Sequence, residues 1–142
     1  MDDIIIVGGG IANTFLKASG LKIGKSLVED SMLDIAKDLL VQGKIVLPNV
    51  IITSKTFEGE DIRETSVKDV KDDEMILDLH LSDEILTSLN QAKTILWNGP
   101  MGVFENKLFS KGTKDLSIAI ANSSAFSLAG GGETLSAINK YI

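Results

Sequence analysis

The 142-residue sequence predicts an α/β fold: a three-layer sandwich in which a mostly parallel sheet is covered by helices on both faces. Three observations carry this expectation. Short β-branched and aliphatic runs repeatedly hand over to segments of helical spacing, glycine clusters stand where those runs end, and the connections are too long for hairpins. Composition agrees, with 44% hydrophobic and 24% charged residues in a chain of one domain's length, residues 1–142.

Several function classes are excluded at once. No cysteine is present, so disulfides and thiolate metal sites are out, and His80 is the only histidine, too few for a structural zinc site. The net charge of −6 comes without a basic cluster, which argues against nucleic acid as a partner. Neither a signal peptide nor a membrane-spanning apolar run is apparent, so a cytoplasmic protein is expected. The abrupt entry into Ile4-Ile5-Ile6-Val7 and the unterminated helix at Ile142 suggest a piece of a longer protein.

Ile4 to Val7 reads as a buried strand, Gly8-Gly9-Gly10 as a turn, and Ile11 to Ala18 as a helix with Ile11, Phe15 and Ala18 on one face. This layout brings a backbone close to a nucleotide, although a dinucleotide fingerprint would need a third glycine where Asn13 stands. The three glycines also serve as a plain tight turn. Gly20 to Ser26 has three residues between its glycines where a P-loop needs four. Ser26 and Glu29 instead suggest a capping box for a helix from Leu27 to Leu40, with Val28, Met32, Ile35 and Leu39 inward.

Lys44 to Pro48 and Val50 to Thr53 are candidate strands. The polar stretch over residues 57–74 reads as surface loop and solvated edge. Met75 to Leu79 is a buried strand; Ser82 then opens a helix through Gln91 with Ile85, Leu86 and Leu89 as its stripe. Thr94 to Trp97 reads as a fully covered strand, stopped by Asn98-Gly99-Pro100. Gly102 allows a second turn, Val103-Phe104 return to the interior, and Glu105 closes the loop with a charge. A helix follows over residues 112–122, with Leu116, Ile118, Ala119 and Ile120 largely buried.

Ala125 to Ala129 is the last strand, and Gly130 to Thr134 opens the last helix. Free N–H groups and the helix dipole at such a turn favour phosphate, Thr134 adds a hydroxyl, and Glu133 suits a divalent cation held by that phosphate. Simple capping by Glu133 and Thr134 is the alternative. In a parallel sheet the turns at Gly8, Gly99 and Gly130 gather along the carboxyl edge, where a phosphorylated ligand fits.

The words Leu96-Trp97-Asn98-Gly99-Pro100 and Gly102-Val103-Phe104-Glu105 closely resemble the nucleotide-site loop of the phosphoglycerate kinase family. Gly8 to Leu16, Gly24 to Leu27, Ala92 to Pro100 and Phe126 to Gly132 match its signatures in order, in the bacterial form. The resemblance implies the central part of the C-terminal, Rossmann-like nucleotide lobe. The family moves a phosphoryl group between 1,3-bisphosphoglycerate and ADP, giving 3-phosphoglycerate and ATP with Mg²⁺. Gly9 and Gly10 would lie against adenine; Asn98, Pro100 and Val103 would line the cleft; Glu105 would bind the ribose hydroxyls. Gly131, Gly132 and Thr134 would cradle phosphate, and Glu133 would contact Mg²⁺.

The family usually has aspartate at the position of Glu133 and glycine, near the adenine, at that of His80. The resemblance transfers no catalytic residue, because the phosphate-facing lysines, the phosphoglycerate lobe and the later glycine-rich helix start have no counterpart here. The expectation is therefore a weak nucleotide binder, inactive alone, from a monomeric kinase. The alternatives are a dinucleotide domain of an NAD-dependent oxidoreductase, on Gly8, Gly10 and Glu29-Asp30, or a non-catalytic nucleotide-binding or assembly domain.

Overall fold

The computed structural model describes residues 3–43, 45–130, 135, 138, 140 and 141. β1 (Asp3–Val7) runs into α1 (Gly9–Ala18), and a 3-10 turn at Asp30–Met32 leads to α2 (Leu33–Val41). β2 (Ile45–Val46), β3 (Val50–Ser54), β4 (Arg63–Ser66) and β5 (Met75–His80) follow. Then come α3 (Asp83–Ser88), β6 (Thr94–Asn98), α4 (Lys111–Ala121) and β7 (Phe126–Gly130).

Four strands form the parallel sheet, in the order β2-β1-β6-β7. Its register aligns Val7 with Asn98 and Asn98 with Gly130. Three strands therefore end level, and Gly8, Gly99 and Gly130 share one edge, as the α/β reading requires. The core beneath them is built on Ile6, Leu16, Ile95, Trp97 and Leu116, all essentially closed to solvent. β6 alternates between buried and open positions: Ile95 and Trp97 point inward while Leu96 is exposed, which corrects the expectation of a fully covered strand.

The remaining strands form a second, antiparallel sheet in the order β4-β3-β5. β4 thus lies inside the stretch expected to be surface loop and solvated edge, and the antiparallel pairing of β3 with β4 and β5 adds to the mostly parallel sheet that the sequence predicts. The polarity of β4 hides a strand because Arg63 turns inward to an ion pair with buried Glu74. A register shift at Ile52/Thr53 marks a bulge beside that pair.

The helix expected from Leu27 begins only at Leu33. Ser26 does not cap it: its hydroxyl donates to the Ile23 carbonyl (2.5 Å) and accepts from the Ile76 N–H (2.8 Å), pinning the chain to β5. Residues 27–29 instead lie along α1. The Asn13 Nδ2 donates to the Leu27 carbonyl (3.0 Å), and the Glu29 N–H donates to the Thr14 hydroxyl (3.1 Å). Ala36 is the buried residue of α2, while Met32, Ile35 and Leu39 are exposed, contrary to their expected inward set. In α4, Leu116 is buried as expected but Ile118 is exposed.

α3 starts where the sequence places it. The Ser82 hydroxyl accepts from the Ile85 N–H (3.2 Å), satisfying a donor that the first turn leaves unpaired. Ser82→Ala should lower stability by about 1 kcal/mol in urea denaturation. A loss under a few tenths of a kcal/mol would show that water replaces the cap.

Candidate functional site

A cleft of about 530 Å³ opens at the carboxyl edge of β1 and β6, a size suited to a small-molecule ligand. One wall is the glycine turn and first helical residues of α1; the other is the loop over residues 98–105. Of the residues expected to meet a nucleotide, Gly9, Gly10, Asn98, Pro100, Val103 and Glu105 all line it. Gly131, Gly132, Glu133 and Thr134 lie outside the described residues.

The two walls approach as closely as backbone permits. The Gly8 N–H donates to the Asn98 carbonyl (3.0 Å), and a Cβ on Gly8 would stand 2.3 Å from the Pro100 oxygen. Only glycine fits there. Buried Trp97 braces the same turn, its indole N–H donating to the Gly99 carbonyl (2.7 Å). Beyond it, the Val103 N–H bonds the Leu77 carbonyl (3.0 Å) and the Gly102 N–H bonds the Thr113 hydroxyl (3.2 Å). The loop is thus held to β6, β5 and α4 together. Phe104 is buried as expected, meeting Tyr141 edge-on at 6.4 Å between ring centroids, with the Lys140 ammonium 5.7 Å from its own ring. Glu105 is left exposed at the cleft.

Asp78 is a structural centre that an apolar run conceals. Fully buried, it accepts from the Gly112 N–H in the first turn of α4 (3.0 Å) and from its own neighbour, Leu79 N–H (2.9 Å). A carboxylate is well placed at a helix N-terminus. His80 turns to this carboxylate, its Nε2 3.0 Å from Asp78 Oδ2, with Glu64 3.8 Å from Nδ1. His80 does not line the cleft.

The cleft also takes in residues that the kinase resemblance does not assign to it: Asn13, Leu27, Glu29, Phe57, Met101 and the β5 segment Met75, Ile76, Leu77 and Leu79. The strand β5 belongs to the second sheet, so no pattern within the glycine turns announces it. Among the described residues lining the cleft there is no lysine, arginine or histidine, whereas Glu29 and Glu105 both stand there. This part of the cleft is apolar and acidic. It suits a planar ring and hydroxyl groups better than a polyphosphate. Among the described residues no three histidine, aspartate or glutamate side chains cluster as a metal site, and no helix is long and apolar enough to cross a membrane.

Comparison with known proteins accords with this geometry. The family model described as Phosphoglycerate kinase matches residues 1–142. Curated phosphoglycerate kinases from Francisella philomiragia and Blochmanniella floridana are 49% and 53% identical, each over 98% of this chain. The solved phosphoglycerate kinase of Coxiella burnetii superposes with a TM-score of 0.85 at 40% identity, and that of Pyrococcus horikoshii with 0.75 at 30%, each over 99% of the chain. The chain spans 38% and 36% of the two curated relatives and 38% of each solved structure. With its whole length matched by the family model, the chain belongs to the phosphoglycerate kinase family.

Proposed function

We propose that the chain is the nucleotide-binding portion of a cytoplasmic, monomeric phosphoglycerate kinase, which transfers a phosphoryl group reversibly between 1,3-bisphosphoglycerate and ADP. The observation that carries this is the single cleft in which Gly9, Gly10, Asn98, Pro100, Val103 and Glu105 meet at the ends of parallel strands. Base and ribose occupy the described part: the ring lies against Gly9 and Gly10, and Glu105 accepts from the ribose hydroxyls. The phosphates extend toward Gly130 at the end of β7. Asn98 marks that direction, since its side chain stands 3.9 Å from where a Cβ of Gly130 would lie.

A magnesium ion on the phosphates would neutralise charge there; one or two carboxylates plus phosphate oxygens are its usual partners, and Glu133 is the residue of the right type. Phosphoryl transfer depends on positioning and electrostatic stabilisation. The role of this chain is accordingly to bind and orient the nucleotide and to keep water from the base through Met75, Ile76 and Leu77. By the family resemblance, the phosphoglycerate site and the cations that meet the phosphates belong to other portions of the whole kinase, and the chain spans 38% and 36% of its two curated relatives. The 142 residues alone should therefore bind nucleotide without turning over 3-phosphoglycerate and ATP.

A thermal melt with Mg-ADP tests this reading. At tenfold excess over the dissociation constant, binding to the folded state alone adds ~1.4 kcal/mol, a rise of about 5 °C for a chain of this size. Glu105→Ala should shrink the shift without lowering the unliganded midpoint, because the side chain is exposed. An unchanged midpoint in a cooperatively folding sample would refute nucleotide binding by this chain. Turnover by the chain alone would refute its inactivity.

A further inference from the structure

Asn13 is buried in the wall of the cleft with one arm of its amide unanswered. The residue is 3% exposed and lines the same cavity as Gly9, Gly10 and Ile11. Its Nδ2 is committed to the Leu27 carbonyl at 3.0 Å, and that acceptor fixes which arm is the amine. Oδ1 therefore faces the other way, shut off from solvent and without a hydrogen-bond partner among the described residues. A buried acceptor left in this state is costly, and native structures seldom keep one without a use.

The surroundings restrict what could answer it. Asn13 lies on α1 one turn beyond Gly9 and Gly10, among Ile11, Leu27 and Ile76, with Glu29 nearby in the lining. An acceptor in an apolar, acidic wall repels phosphate and carboxylate alike. It calls for a neutral N–H or O–H donor carried on an apolar body. Leu27 stands beside both residues, its Cβ 3.9 Å from where a Cβ of Gly10 would lie and its carbonyl on the Asn13 amide, and its exposed side chain is free to shift for a ring. We propose that Asn13 selects the base: Oδ1 accepts a hydrogen bond from the exocyclic amine of an aminopurine seated against α1. The inference rests on the nucleotide reading and adds to it a residue that chooses among bases.

The test compares Mg-ADP with the Mg-diphosphate of purine riboside, which keeps ring, ribose and phosphates and lacks only the amine. Calorimetric titration of the 142-residue chain should find ADP bound about tenfold more tightly. Asn13→Leu, close to asparagine in size, should bring the two ligands within about twofold by weakening ADP. Asn13→Ala carries the same expectation if leucine is not accommodated in the fold. Equal affinities in the unaltered chain, or a preference that survives in both variants, would overturn the proposal while leaving nucleotide binding intact. Binding of neither ligand by the unaltered chain would overturn both, and would locate the failure in the nucleotide reading.

Discussion

Gly102→Ala should destabilise the chain by about 3 kcal/mol or more and abolish its thermal response to Mg-ADP. A Cβ at this position would stand 2.4 Å from the Leu77 carbonyl oxygen, 2.6 Å from Asp78 Oδ1 and 2.6 Å from the Phe109 carbonyl oxygen. None of these is the free end of a flexible side chain. Two are backbone, and Asp78 is held by the Gly112 and Leu79 N–H groups. Relief therefore requires the loop to lift, which breaks the Val103–Leu77 and Gly102–Thr113 bonds and carries the cleft wall with them.

Two controls separate overlap from other effects of losing a glycine. Gly43→Ala meets no atom within 4 Å but sits at φ +74°, so it reports backbone strain alone, about 1 kcal/mol. Gly10→Ala makes only ordinary contacts, 3.9 Å to Leu27, inside a helix where alanine is favoured. It should fold at least as well as the unaltered chain. Guanidinium denaturation of the three variants decides the matter: equal losses for Gly102→Ala and Gly43→Ala would mean that the loop is not wedged against β5.

That wedge explains why the sequence could announce the loop and not its support. The loop is legible because its constraints are local: a β-rich run, then proline and glycine, then a return to apolar residues. The level strand ends were legible for the same reason, since each glycine turn directly follows its strand. Asp78 was not, because a buried carboxylate between Leu77 and Leu79 looks like the polar side of an alternating strand. Its partner Gly112 is intelligible only once α4 is packed on β5. The start of α2 was misjudged because Ser26 has the residue type of a helix cap while its hydroxyl bonds β5, fifty residues away. Local propensity identifies possible partners, and long-range packing decides among them. The phosphate side of the site, at residues 131–134, rests on the sequence reading.

The second sheet turns on Glu74, and its removal should be felt in a defined pH window. Arg63 grips this carboxylate with two N–H groups at 2.8 Å, the Lys71 N–H adds a bond at 2.9 Å, and the Thr53 hydroxyl another at 2.8 Å. The Arg63 hydrogen bonds are the main cause that lowers the Glu74 pKa from 4.5 to about 2; burial pushes the other way and is overcome. A carboxyl group with a depressed folded pKa stabilises above its unfolded value and loses that contribution as pH falls through the folded one. Glu74→Gln should accordingly cost about 2 kcal/mol at pH 7, a figure reduced for the solvent that reaches Arg63. The gap between the two proteins should narrow below pH 4.5 and close near pH 2, where the carboxyl is itself protonated. Because Glu74 leads directly into Met75–Leu79, the same variant should weaken Mg-ADP binding even where it remains folded. Urea denaturation at half-unit pH steps measures the first effect. A stability gap that stayed constant from pH 7 to pH 2 would show that the pairing of charge at Glu74 does not hold this sheet together.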